Sequence, residues 1–462
     1  MGGLAFSSGV QALHTPRLPA LVYHQMRDKF HTLLREVFFH VATPIEGPGK
    51  RDFGDIDILV ATEKQPVENN DGTRGSSPKQ LLATIQQALQ ADRAIFNGAE
   101  ASVNLAIPWP AEIASTIDGA AETTQAIGDE SLLDVDSLQP HFIQVDVRIC
   151  ASTGQMQWIL FKHAHGDFWS IMGSTIRPFG LTADEIGFYI RIPEIEDNNR
   201  KLAKVFLTDE PKEVLRFLGL EIDSHWDKPF ATADDLYEYA ASSKFFWIDP
   251  EVKDGEHGDG VHENGQGTTR LTVVIGQGTV EDAKMQLKSN DRRRMNQRPV
   301  FRGWIEEFIP QCREKGRFLP SDPEMTRERV RVHVRGDAFA CFPGVEEEYM
   351  NRLTVWMEEK SKNNAISIIK DTVPHDLEPQ RRGNLITALK KIILMDDESF
   401  GILPERPLKT PGGMYLIEDI RNWITENWQG VYEIAWQKQI ERAREGMALK
   451  QAKKEKADKG EV

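Results

Sequence analysis

Cysteine is scarce in this chain: Cys150, Cys312 and Cys341 are the only three, and none forms a CxxC pair. That pattern excludes a disulfide framework and a thiolate zinc site. No uninterrupted apolar run reaches membrane-spanning length. The first residues lack a basic stretch followed by an apolar core of signal-peptide size. Positive charge is short too. Fifty-six Lys and Arg stand against 71 Asp and Glu, a net charge of −15, so a polyanionic partner would need a local patch rather than the overall field. The expectation is an intracellular protein, cytoplasmic or nuclear, with no membrane contact.

What is present reads as a globular chain. At 462 residues, 40% hydrophobic and 27% charged, it can bury a large core and divide into several domains. Apolar residues recur at helical spacing from Leu18 through Val22, Met26, Phe30, Leu33, Leu34 and Val37. "EVFFHVATP" reads as extended. Ser77, Pro78 and Gln80 form a capping-box start for a helix. "ASVNLAI" predicts a strand, and "HFIQVDVRI" alternates with Ile143, Val145, Val147 and Ile149 on one face and Gln144, Asp146 and Arg148 on the other. "WILFKH" and "IGFYIRI" are further strand candidates around a short helix at "GDFWSIMG", and "RERVRVHVR" alternates like an exposed strand. Residues 110–139 read as an acidic insertion. Beyond about residue 195 the pattern turns helical, with a capped start at "TADDLYEYA". Residues 250–270 are Gly-, Asp- and Glu-rich and read as a flexible linker. The fold class expected is α+β: a mixed sheet with flanking helices over 18–192, a helical region over 193–249, the linker, a mainly helical domain over 271–445 and a charged tail over 446–462.

One stretch resists a purely structural reading. In "GKRDFGDIDILV", Asp55 and Asp57 stand at the start of an apolar run, just after Gly47, Gly49 and Gly54. Two apart on a strand, their side chains leave the same face about 6.6 Å apart. Unscreened, they repel, and one takes up a proton or the strand end is destabilised. A divalent cation removes the conflict, and magnesium accepts hard carboxylate oxygens together with substrate phosphates. Asp146 can add a third carboxylate from the polar face of its strand. Backbone amides at Gly47 and Gly49 can approach phosphate oxygens closely, with Lys50 and Arg51 adding charge.

A glycine turn, Gly-Asp-x-Asp on a strand and a distant Asp in an alternating strand resemble the polymerase-beta-like nucleotidyltransferase superfamily. The resemblance spans residues 18–192. It implies a small mixed sheet with flanking helices and magnesium-dependent transfer of a nucleotidyl group from a nucleoside triphosphate such as ATP, with two Mg2+ ions held by Asp55, Asp57 and Asp146. The acceptor stays open among an RNA end, a protein hydroxyl and a small molecule. The turn departs from the family pattern: Pro48 has no amide donor and no serine is present. The alternative is therefore a catalytically inactive nucleotide-binding or protein-interaction module on the same fold.

The segment "KSNDRRRMNQRPVFRGW" carries Arg292, Arg293, Arg294, Arg298 and Arg302 and is the candidate contact for RNA or another polyanionic acceptor. No aromatic stacking platform interleaves the arginines. His163 and His165 in "KHAHGD" lack a third ligand nearby and read as packing histidines, and Cys150 reads as a buried thiol.

Overall fold

Helix α1 (Ala20–Arg35) buries Val22, Tyr23, Met26, Phe30 and Leu34, one stripe at the 3–4 residue spacing of a helix face. That stripe lies on one face of a five-stranded sheet. The computed structural model describes residues 3–8, 12–65, 76–97, 101–110, 140–248, 295–320, 322 and 326–458, with side chains to 451. The chain divides into two units, residues 1–345 and 346–462.

In the first unit, β1 (Leu18–Pro19) pairs with β3 (Asp52–Phe53) as a small ribbon. The main sheet contains β2 (Phe38–Ala42), β4 (Ile56–Glu63), β5 (Arg93–Asn97), β6 (Ser102–Pro108) and β7 (Phe142–Cys150). Its order is β2-β4-β7-β6-β5, with only β4 and β7 parallel. This is the mixed sheet expected. Helix α2 (Pro78–Ala88) starts with the Ser77–Gln80 capping box, and with α1 it covers the face built by Ile56, Ile58, Val60, Val103, Leu105, Ile143, Val145 and Val147. Each fully buried side chain of this size stabilises by about 1.5–3 kcal/mol.

The opposite face is covered only in part. Helix α3 (Thr153–His163) packs Met156 and Ile159 on Leu59, Ala61 and Cys150. At the other end Phe6 sits on Ala106 and Phe142. Between those two covers the face is polar.

Two expected strands are helices. "WILFKH" belongs to α3, because Ser152 accepts from the Gln155 amide as an N-cap and Met156 and Ile159 need helical spacing to meet the sheet together. "RERVRVHVR" lies in the helix Arg327–Cys341, capped by Thr326. Its buried positions are Val330, Val334 and Ala338, four apart, while Val332 stays exposed. Valine alternation there coincided with helical period. In the region expected to be helical, the strand β10 (Lys204–Thr208) pairs with β9 (Phe188–Arg191), which pairs in turn with β8 (Leu181–Ala183). "GDFWSIMG" forms α4 (Phe168–Ile176) and "TADDLYEYA" the capped helix Ala233–Ala241. Residues 111–139 and 250–270 lie outside the described residues.

The second unit is helical. Leu385, Leu389, Ile392 and Ile393 of the helix Pro379–Met395 pack with Ile420, Ile424 and Val431 of the helix Ile417–Asp458. Among the described residues no helix is long and apolar enough to cross a membrane.

Behind the glycine turn lies an aromatic cluster around two fully buried histidines, His165 and His225. His165 Nε2 donates to the His225 carbonyl at 2.8 Å. Both ring nitrogens of His225 have no partner among the described residues. Burial holds both imidazoles neutral and pushes His225 down to about 3. A base whose folded pKa is depressed leaves the unfolded chain binding more protons between that value and about 6.5, so stability falls as pH drops through this window. The expected loss from His225 alone is about 2 kcal/mol by pH 5. His225→Phe should flatten the fall in melting temperature between pH 7 and pH 5 relative to the wild type. Parallel pH profiles would show that the imidazole is not the acid-sensitive group.

Candidate active site

The polar gap on the sheet is built by strand register. Asp57 of β4 pairs directly with Asp146 of β7, and Asp146 pairs with Asn104 of β6. Paired residues on adjacent strands project to the same side, so the two carboxylates and the amide share one face. Asp55, two residues before Asp57, joins them from the turn at Gly54. The structure thus brings the three aspartates together. Among the described residues no Lys, Arg or His forms an ion pair with any of them. Arg148, the nearest basic candidate on β7, points to Glu185 at 3.7 Å instead.

Asp57 is exposed by surface area, yet protein atoms crowd around its carboxyl. Desolvation in that crowded setting, followed by the charges of Asp55 and Asp146, pushes its pKa up to about 7. Burial likewise lifts Asp146 to about 6, although hydrogen bonds from Asn104 and Gln144 oppose the shift. Asp55 is raised by burial and held back by the Gly3 amide and Lys50.

Two of the carboxylates already have hydrogen-bond partners. The buried Gln144 donates from Nε2 to both oxygens of Asp146, at 3.0 and 3.2 Å. The Gly3 amide donates to Asp55 Oδ2 at 3.2 Å. Among the described residues no group of three or more His, Cys, Asp or Glu side chains is placed to hold a metal ion. The donor set suits magnesium by chemistry, being hard and anionic. Its present spacing does not make a three-ligand site.

The glycine turn is braced from behind. The His165 amide donates to the Ile45 carbonyl at 2.7 Å, and a Cβ on Gly166 would come within 3.3 Å of the Gly47 Cα. Gly166 has φ +61° and Gly49 φ +63°, a backbone that side chains disfavour. Gly47 is buried, Gly49 and Arg51 are exposed. Lys50 lies near enough to act on Asp55, but its ammonium is bound to Glu46 at 2.6 Å. Glu46 also accepts from the Tyr23 hydroxyl, and Tyr23 stacks on Phe53 at 3.7 Å. A cavity of about 530 Å³ opens beside this turn, with His24, Arg27, His31, Arg35 and Lys50 among its lining. Arg27 is paired with Asp28 there, so much of the positive charge is already compensated.

Gln144, Asn104, Glu46 and Gly3 were not among the expected site residues. Gln144 was within reach, being two residues from Asp146 on the same face of an alternating strand. Gly3 lies 52 residues from Asp55 and carries no local signal. Arg292, Arg293 and Arg294 lie outside the described residues. Arg298 donates to Ser170 Oγ at 2.8 Å and to Asp167 at 3.3 Å, which ties it to the start of α4.

No protein-family model matches the chain, and no curated protein matches it. Among solved structures it is similar to Leishmania infantum polymerase beta in a ternary gap complex, at 13% identity and a TM-score of 0.29, over 46% of this chain and 71% of that one. The ternary P/T complex of the same polymerase gives 13% identity and 0.30, over 46% and 77%.

Carboxyls whose folded pKa is raised favour the folded state below their unfolded pKa and lose that advantage as pH rises through the folded value. Ionised Asp57 therefore strains the metal-free fold above about pH 7. Asp57→Asn should melt level with or above the wild type at pH 8, and the two should converge by pH 4. A large loss of melting temperature at pH 8 would mean that Asp57 stabilises the fold.

Proposed function

We propose that this chain is a metal-dependent nucleotidyltransferase, moving a nucleotidyl group from a nucleoside triphosphate to a hydroxyl acceptor. The observation that carries the reading is the Asp57–Asp146 register pair beside Asp55, three carboxylates that form no ion pair among the described residues. A fold keeps such an arrangement at a cost in stability unless the charge is used. The resemblance of the Gly-Asp-x-Asp turn and the distant Asp to the nucleotidyltransferase superfamily supplies the reaction class.

In this reading Asp55 and Asp57 would hold magnesium, with Asp146 as the third ligand. Bound magnesium would offset charge on the triphosphate and polarise its α-phosphorus. The acceptor oxygen forms a new bond to that phosphorus as the bond to pyrophosphate breaks. In this reading the Asp146 carboxylate would also take the acceptor's hydroxyl proton. Gln144 and Asn104 hydrogen-bond to the Asp146 carboxylate. The Gly49 amide and Arg51, both on the exposed side of the turn, are the proposed phosphate contacts.

One set of observations favours the second reading, a non-catalytic module on this fold. Pro48 offers no amide, Gly47 is buried, and Lys50 is already paired with Glu46. A labelled-nucleotide incorporation screen across RNA, protein and small-molecule acceptors, with Mg2+, separates the two. The transferase reading expects incorporation that falls at least 100-fold in Asp57→Asn and Asp55→Asn with the fold retained, and less steeply in Asp146→Asn. Magnesium-independent nucleotide binding with no incorporation into any acceptor supports the module.

A further inference from the structure

The N-terminal segment lies across the carboxylates. Gly3 donates its amide to Asp55, and Ala5 donates its amide to Gln144 Oε1 at 2.9 Å. The same Gln144 clamps both oxygens of Asp146. One short stretch therefore engages Asp55 directly and Asp146 through a single buried amide. It is anchored on both sides: Phe6 is buried against Ala106 and Phe142, and the Thr15 hydroxyl donates to the Gly3 carbonyl at 2.8 Å. Gly3 has φ +81°, and a Cβ there would stand 2.3 Å from the Gly54 carbonyl oxygen, so glycine alone fits.

We propose that residues 3–8 form an autoinhibitory strap, which must lift from Asp55 and Gln144 before the three aspartates can take a divalent cation together. The proposal rests on the transferase reading above. Its physical content is competition. An amide hydrogen pointed at a carboxylate oxygen occupies the lone pair that a cation would use, and Gln144 holds Asp146 in the orientation that suits the amide. The fixing of Asp146 and the strapping of Asp55 are thus one device, since Ala5 and Gly3 release together. Phe6, the partly buried Ala5 and hydrogen bonds to Asp55, Gln144, Thr15 and the Leu13 amide hold the strap, a set small enough for a cation or a substrate to displace.

The test uses Mn2+ alone as probe, with binding followed by loss of the free-ion electron paramagnetic resonance signal in the full-length protein. Gly3→Val cannot place its side chain against Gly54 and should unseat the strap, and Phe6→Ala should loosen its anchor. Both variants are expected to bind Mn2+ about 10-fold more tightly than the wild type, a coupling of ordinary size. Amide exchange at residues 3–6 should quicken in the wild type when Mn2+ is added. Equal affinities in wild type and both variants, with binding lost in Asp57→Asn, would overturn the strap and leave the transferase reading standing. No Mn2+ binding in any form would overturn both.

Discussion

Like charges confined to one face of a strand pair are the constraint on which the rest of this molecule turns. The opposite face of β4 and β7 is core, closed by α1 and α2, so Asp57 and Asp146 cannot escape by rotating the strands. A slip of one residue would put every valine and isoleucine of those strands into water. Hydrophobic register therefore holds the carboxylates together against their repulsion. Raised pKa values at Asp57 and Asp146 express that conflict, and burial contributes more to each than charge does.

The surrounding elements frame this polar patch without neutralising it. Helix α3 stops at Leu59, Ala61 and Cys150, and the N-terminal segment covers Ala106 and Phe142. Basic side chains nearby are engaged elsewhere: Lys50 with Glu46, Arg148 with Glu185. Dipoles rather than charges meet the carboxylates, namely the Gly3 amide and the side-chain amides of Gln144 and Asn104. Hydrogen bonds from neutral donors hold an anion in orientation without cancelling its charge.

Much of the first unit was legible in the sequence where one physical signal acted alone. The capping box at Ser77, the alternation of β7 and the helical stripe of α1 each fix an element locally, and the two-residue spacing of Asp55 and Asp57 put them on one side. The readings failed where two periods coincided. Alternating valines in the helix Arg327–Cys341 mimic a strand, and the nearly continuous apolar run of α3 hides its helical face. What stayed invisible was long-range. Nothing near Gly3 announces a contact with Asp55, because that bond depends on the path of the whole intervening chain. The clamp of Gln144 on Asp146 needs the Ala5 amide to orient it, so strand periodicity alone shows the face but not the bond.

Carboxyl titration by 13C NMR, wild type against Asp57→Asn, measures the central electrostatic claim directly. In the metal-free wild type, aspartate carboxyls should titrate near pH 6–7, in line with about 7 for Asp57 and about 6 for Asp146, and the highest step should vanish in the variant. Saturating Mg2+ should move the remaining wild-type steps below the ordinary carboxylate range. If every aspartate titrates near pH 4 without metal and Mg2+ changes nothing, the three carboxylates are not a strained cluster awaiting a cation.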